Sequence, residues 1–264
     1  MSMDADTALA PDFLERGIEA MEENPNLGGV CALPCPRPDL ARTWWGWALW
    51  RLQRAEYSRY TAVLRRRRWQ VHVLSGAGAL YRVDALRAAA DFRGDGPWCG
   101  TSLTEDYLLT LDLRAHGWEA RMDLRMHAFT DVPLTFRELW KQRLRWASGT
   151  MDDLRQYGWT PFTRRAIICH GIAAVSIFVR LVFFAVIGMT IIGRVPFHLH
   201  WIWLLPPIIT AAERTMSLKD LEGRTWRDTL QAALVLPEET FSFFRELYLV
   251  RAAVATYFGR NRKW

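Results

Sequence analysis

An α/β domain followed by transmembrane and interfacial helices is the fold class this sequence predicts, and three observations predict it. Over residues 1–160, short apolar runs of strand character alternate with helical segments that carry recognisable start and stop signals. Residues 166–193 then form a run of 28 residues with a single formal charge, Arg180. That exceeds the ~20 residues needed to cross ~30 Å of hydrocarbon. Finally, residues 233–258 return to a helical period with apolar and charged residues on opposite sides.

Taken in order, the chain opens on Ser2-Met3-Asp4-Ala5-Asp6-Thr7, and residues 11–23 follow as a Pro-started helix with Phe13, Ile18 and Met21 inward. Residues 28–33 read as a short strand. Trp44, Trp45, Trp47 and Trp50 run into the Glu56-Tyr57 pair and the arginines of 65–68, a composition that suits either a helix against a membrane interface or core packing. Residues 70–74 alternate like a strand and lead into Ser75-Gly76-Ala77-Gly78-Ala79, where small residues serve close backbone approach to a ligand or a plain tight turn. Thr104 caps a helix whose first turn holds Glu105 and Asp106 and which stops at Gly117.

Thr135 and Glu138 form a capping box, so the next helix is expected to run from Phe136 to about Ser148. Gln142, Arg145 and Trp146 then fall at i, i+3 and i+4, which gathers an amide, a guanidinium and an indole on one face. A second apolar stretch, 195–212, is interrupted by Pro206 and Pro207 and begins near His198 and His200; it is expected to be a second span. In 233–258 the stripe of Phe243, Leu247, Val250, Val254 and Phe258 lies opposite Glu238, Glu239, Arg245 and Glu246. So many charges are costly in lipid, which makes this an amphipathic helix on the membrane or against the preceding domain.

The net charge of +6 and the isoelectric point near 9.4 would suit nucleic acid, a membrane surface or an anionic substrate. The arginines at 65–68, Arg164 with Arg165, and the basic residues of 260–263 flank apolar or Trp-rich segments, as in positive-inside anchoring, with a solvated face as the alternative for 65–68. No nucleic-acid-binding motif accompanies them, so nucleic acid is not an expected partner. Four cysteines are too scattered for a disulfide framework, and Cys31 with Cys35 lacks the second pair or nearby histidine a zinc site needs. Residues 1–26 are polar and acidic and carry no signal-peptide pattern.

The order Asp4-Ala5-Asp6, Thr104-Glu105-Asp106 and Gln142-Arg143-Leu144-Arg145-Trp146, followed by apolar spans, resembles the membrane-integrated family-2 glycosyltransferases that make cellulose, hyaluronan and poly-N-acetylglucosamine. The family marks DxD, TED and QxxRW stand here intact, in order, and the resemblance covers essentially the whole chain. It implies the C-terminal half of a GT-A domain over 1–160, two transmembrane helices over 161–215 and a cytosolic amphipathic tail over 216–264. The nucleotide-binding half that precedes DxD in the family is not expected within this sequence, so a second chain supplying it is one implied partner.

The implied activity is inverting transfer of a sugar from a nucleotide-sugar donor, UDP-linked, to a polysaccharide or glycan acceptor at the cytosolic face of the plasma membrane, in a multi-pass protein in contact with membrane lipids. The alternative is a catalytically silent membrane subunit that needs a partner. The resemblance gives Asp106 the role of base beside Glu105 and Thr104, and assigns a Mg²⁺ or Mn²⁺ ion to Asp6 with Asp4, Asp4 lying nearer the nucleotide. Gln142 and Arg145 would then contact the pyrophosphate, Trp146 would stack on the acceptor sugar, and Gly76 and Gly78 would let backbone amides approach the sugars.

Overall fold

The computed structural model describes residues 1–37, 41–94, 96–194, 201, 205–221 and 223–259. Four strands form one mixed sheet in the order β1-β4-β2-β3, with β1 at Ala8–Leu9, β2 at Leu27–Pro36, β3 at Ala79–Tyr81 and β4 at Glu119–Thr130. The two long strands, β2 and β4, run parallel, while β1 and β3 pair antiparallel at the edges.

Successive side chains of a strand point to opposite faces, and β2 shows it. Val30 and Ala32 join Phe13 and Ala20 of α1 (Phe13–Glu23) on one face, with Met126 and Ala128 of β4. Cys31 joins the other face, where Ala120 and Met122 meet Ala85 and Ala89 of α3 (Val83–Arg93) and Leu109 and Leu113 of α4 (Glu105–Ala115). A sheet covered on both sides by helices explains why β2 reads as a continuous run of small and apolar residues rather than as alternation.

Against this core lies α2 (Trp44–Arg66), started by Thr43, whose hydroxyl accepts from Gly46 N at 3.1 Å. Its tryptophans divide between the two readings: Trp44 and Trp45 are exposed, whereas Trp50 is 7% exposed and donates its indole N–H to the Pro36 carbonyl at 3.1 Å. Helix α5 spans Phe136–Tyr157. Thr135 caps it as expected, accepting from Glu138 N, yet the helix continues well beyond Ser148, because Gly149 and Met151 to Leu154 find packing partners in α4 and in the tail.

Two other expectations are corrected. Ile18 faces outward at 54% exposure, and Gly17 and Ala20 take the buried side of α1 with Phe13, since Leu80 leaves no room for a larger residue at 17. Residues 70–74 are not a strand; Gln70 makes an isolated bridge to Arg121 and Val71 N donates to Ala120 O, after which the segment turns away to seat Val71 and Leu74 in the core.

Helix α6, Arg164–Ile191, is 28 residues long with mean hydropathy 2.5 and none of its apolar window buried. Among the described residues it is the one helix long and apolar enough to cross a membrane. The described part of the expected second span is the helix α7, Leu205–Ser217, whose 13 residues fall short of a crossing; 195–200 and 202–204, with His198 and His200, lie outside the described residues, as do 260–263.

The tail folds back. Helices α8 (Trp226–Ala233) and α9 (Val235–Phe258) dock on the first domain: Phe241 packs with Leu49 of α2 and Leu139 of α5, and Tyr248 and Ala252 pack with Ala147 and Met151 of α5. Buried carboxylates of the tail meet arginines of α2, Asp228 at Arg51 and Arg54 and Glu238 at Arg59. The apolar stripe seen in the sequence, from Phe243 to Phe258, is the face α9 leaves exposed; its docking face is a different one, built on Phe241, Tyr248 and Ala252.

Arg180, in the middle of α6, faces α9. Its Nε donates to Glu246 at 3.0 Å and its Nη1 to Glu239 at 2.8 Å, and Glu239 also accepts from Arg214 of α7 at 2.6 Å. A cation on an apolar helix requires such partners. Groups that interact this directly couple by about 0.5–3 kcal/mol in double-mutant cycles. Unfolding of Arg180→Met, Glu246→Gln and the double variant in detergent should therefore give a non-additive cycle, and strict additivity would show that the contact contributes nothing.

Candidate functional site

The three motifs come together on one cleft. Its volume is ≈ 1440 Å³, and Asp4, Asp6, Glu105, Asp106, Gln142, Arg145 and Trp146 all line it. The floor is built by backbone geometry. Ser2 bridges antiparallel to Ala79, with both N–H···O contacts at 2.9 Å, which anchors the segment leading to Asp4. Asp4 N then donates to the Gly76 carbonyl at 2.9 Å, and Gly76 N donates to Asp106 Oδ2 at 3.3 Å. One residue thus ties the DxD segment to the TED helix, through its carbonyl on one side and its amide on the other.

This corrects the expected role of the glycines. The Gly76 amide is engaged by Asp106 and is not free for a sugar; a Cβ at position 76 would come within 2.9 Å of Asp4 Oδ1, so the absent side chain makes room for a carboxylate. Gly78 does not line the cleft. A Cβ there would meet Leu9, Phe13 and Ala128, so it serves the core on the other side of the turn.

Asp106 sits at the start of α4, accepting from its own helix at Tyr107 N (2.7 Å) as well as from Gly76. Burial raises its pKa above the usual aspartate range, with Glu105 and Asp4 acting in the same direction against the two amide hydrogen bonds. Asp4 is likewise raised, by burial first and then by Asp6 and Glu105, with Arg145 opposing. Asp4, Asp6 and Glu105 thus repel one another at one end of the cleft, and Arg145 offsets part of that repulsion at Asp4.

That donor set fits a hard divalent cation, which prefers carboxylate oxygens and relieves their mutual repulsion. Among the described residues no group of three or more metal-binding side chains converges, so a cation here would be held by Asp4 and Asp6 with further oxygens from a ligand. Among the described residues no histidine or cysteine lines the cleft, and its carboxylate oxygens suit Mg²⁺ or Mn²⁺ better than zinc.

The opposite wall is α5. Gln142 carries a buried side-chain oxygen without a hydrogen-bond partner, which a polar ligand in the cleft would satisfy. Trp146 is half-buried, and the guanidinium of Arg143 lies 4.6 Å from its ring centroid. Arg143 is itself 9% exposed and donates to Glu56 of α2 at 2.7 Å. Arg143 and Glu56 were not among the expected site residues, although Arg143 stands inside the QxxRW run; its offset of one from Gln142 directs it to the α2 side rather than along the expected stripe.

Thr104 also departs from its expected role. Its hydroxyl does not cap α4; it donates to Asp153 of α5 at 2.9 Å, and Ser102 donates to the same carboxylate at 3.3 Å. One turn earlier on α5, a Cβ on Gly149 would lie 2.4 Å from Thr104 Oγ1, so the absent side chain lets the TED loop press against the helix. Gly149 and Asp153 were missed because the helix was ended at Ser148; carried on, the face of Gln142, Arg145 and Trp146 reaches them at helical spacing.

Burial pushes Asp153 up to about 6, against the hydroxyls of Thr104 and Ser102 that favour the charged form. A folded-state pKa above the unfolded value of 3.8 means that the folded chain binds more protons between pH 4 and 6. Stability should therefore fall as pH rises across that window. Asp153→Asn should remove that part of the pH dependence in thermal-unfolding profiles; an unchanged profile would show that Asp153 is not the group responsible.

Comparison with known proteins bears on this arrangement. The family model described as glycosyl transferase family group 2 matches residues 1–214. The chain is 29% identical over 163 residues to a poly-beta-1,6-N-acetyl-D-glucosamine synthase of Staphylococcus epidermidis, covering 61% of this chain and 37% of that protein. It is 28% identical over 169 residues to the enzyme of the same name from Staphylococcus aureus strain COL, covering 62% and 38%. The chain thus spans well under half the length of the curated relatives it matches. Among solved structures, a mannosyltransferase from Pyrobaculum calidifontis in complex with GDP-Man and Mn²⁺ aligns over 98% of this chain and 62% of its own, with a TM-score of 0.50 at 19% identity, a likeness of fold.

Proposed function

Because the chain belongs to glycosyl transferase family group 2, we propose that its cleft transfers a sugar from a nucleoside diphosphate donor, UDP-linked, to a growing glycan or polysaccharide acceptor, with inversion at the anomeric carbon. The single observation that carries this reading is the convergence of Asp4, Asp6, Asp106, Gln142, Arg145 and Trp146 on one cleft from segments as much as 140 residues apart in the chain.

In this mechanism Asp106 takes the proton of the acceptor hydroxyl as it attacks. A base must be held in place and must bind protons more firmly than an exposed aspartate does, and the two amides and the burial of Asp106 supply both. Arg145 faces the carboxylate end, where it would donate to a diphosphate oxygen, and Gln142 would use its unpartnered oxygen on a ligand hydroxyl. When bound at Asp4 and Asp6, Mg²⁺ or Mn²⁺ would offset the charge that grows on the departing diphosphate; the Mn²⁺ in the mannosyltransferase neighbour supports that assignment. The acceptor ring would lie on the face of Trp146 that Arg143 leaves open.

The reading extends to location. An unburied α6 with arginines at its start supports anchoring in the plasma membrane, with the cleft on the cytosolic side, as part of a multi-pass protein. Similarity to poly-beta-1,6-N-acetyl-D-glucosamine synthases supports a polysaccharide product.

Two substitutions test the chemistry in the full-length protein. Asp106→Asn is expected to lower turnover by about 10²–10⁴-fold, the range for losing a general base, with donor affinity nearly unchanged. The acidic limb of the wild-type pH–rate profile should sit above the ordinary aspartate range, since protonated Asp106 cannot accept a proton. Turnover within about threefold of wild type would remove Asp106 from this role.

Trp146→Ala should raise the acceptor KM more than the donor KM, while Trp146→Phe, which keeps a flat apolar face, should retain more activity. Equal losses in both, together with a lower melting temperature, would assign Trp146 to packing instead.

A further inference from the structure

Away from the cleft, on the side of α4 where α6 begins, basic side chains from three elements gather around His72, with no carboxylate paired to them among the described residues. Arg67 follows α2, and its Nη1 contacts His72 Nε2. Arg114, in the last turn of α4, donates to the Val71 carbonyl next to that histidine. Arg165 and His170 come from the first two turns of α6, whose Ala166 and Ile167 pack with Val73, Tyr107 and Leu111 and so bring the helix start onto this spot.

Like charges are not normally gathered at a protein surface unless something of opposite charge occupies the space between them. Among the described residues no aspartate or glutamate forms an ion pair with Arg67, Arg114 or Arg165, and the Arg67 Nε is buried with no hydrogen-bond partner. The backbone leading out of the cluster is also strained. Arg68 and Trp69 both adopt positive φ, 53° and 64°, a conformation disfavoured for side chains of their size. Its effect is a tight reversal in which Trp69 N returns to the Leu64 carbonyl at 2.9 Å, holding Arg67 beside His72.

We propose that Arg67, Arg114, Arg165 and His170 form a phosphate-binding site at the foot of α6, taking the phosphodiester headgroup of an anionic membrane lipid. Arg165 and Arg67 present to the ligand, since Arg165 is exposed and Arg67 half-buried, while Arg114 stands behind them as a fixed charge. His72 acts as a neutral acceptor that orients Arg67: burial, with the four neighbouring positive groups, pushes it down to about 3. Guanidinium groups match phosphate oxygens in pairs, which a lysine cluster would not do. The position suits a headgroup because α6, read as a membrane helix, has its first turn at the level where headgroups lie. A free phosphate group offers the same chemistry, and the test separates the two sources.

The full-length protein, purified and delipidated in detergent, is titrated calorimetrically with short-chain phosphatidylglycerol, short-chain phosphatidylcholine and inorganic phosphate. Phosphatidylglycerol should bind in preference to phosphatidylcholine. Each arginine near an anionic headgroup is worth about a fivefold change in affinity, so Arg165→Gln should weaken binding about fivefold and the Arg67→Gln/Arg165→Gln pair about 25-fold. Arg165 is exposed, so its single variant should keep the wild-type melting temperature and leave the measurement interpretable. The control pair Arg68→Gln/Arg164→Gln removes the same charge from adjacent positions outside the cluster and should leave affinity unchanged. Inorganic phosphate that binds as tightly and blocks phosphatidylglycerol would identify a soluble phosphate as the occupant of the same site. Equal weakening by both pairs, or no preference for the anionic lipid, would overturn the proposal in favour of a diffuse surface charge.

Discussion

The cleft depends on one residue. Gly76 accepts from the Asp4 backbone N–H with its carbonyl and donates to the Asp106 carboxylate with its amide, so the DxD segment and the start of the TED helix are both tied to the two peptide groups that meet at this glycine. A Cβ there would displace the Asp4 carboxylate, whose Oδ1 would lie 2.9 Å away. The same contact raises an electrostatic cost, since it brings acids together in a partly buried place, and a proton at Asp106 or, on the proposed reading, a cation at Asp4 and Asp6 would relieve it.

From that point the positioning passes outward through a series of contacts between helices. Asp106 opens α4; Thr104, just before it, is held on α5 by Asp153 and by the bare backbone of Gly149. Helix α5 carries Trp146, and Arg143 behind that ring joins α5 to α2 through Glu56. The tail closes the circuit by packing Tyr248 and Ala252 onto Ala147 and Met151 and by giving Glu238 and Asp228 to the arginines of α2. Of the two readings of the tail, on the membrane or against the preceding domain, the second holds, and the tail is part of what fixes the spacing between the cleft's two walls.

How much of this was legible in the sequence varied with the range of the interaction. The capping of α5 by Thr135 and the helix formed by the apolar run of α6 are local patterns with a local physical cause, and both are present. The single charge of that run, Arg180, is also a local signal, because an isolated charge on an apolar helix needs a partner, here Glu239 and Glu246. What was not legible depends on partners far away in the chain. Ile18 is the larger apolar residue, yet it lies about 140° round the helix from Phe13; Gly17 and Ala20 share the Phe13 face, where Leu80 packs on Gly17. The stripe from Phe243 to Phe258 is the more apolar face of α9, yet the face that docks is the one complementary to α5. The clamp of Thr104 by Asp153 joins residues 49 apart, and nothing in the spacing of either announces the other.

The pairing of Arg180 with Glu239 and Glu246 has a consequence for how the chain is made. The two acids follow the arginine by 59 and 66 residues. During synthesis α6 therefore emerges, and on its reading as a membrane helix enters lipid, with its central charge uncompensated, and it stays so until α9 has been translated and has folded back. Between those moments the nascent chain has reason to hold α6 tilted or shallow, with Arg180 reaching toward headgroups. Docking of α9 on α5 is then the event that releases the helix to its final depth, which would couple completion of the catalytic domain to the seating of its anchor.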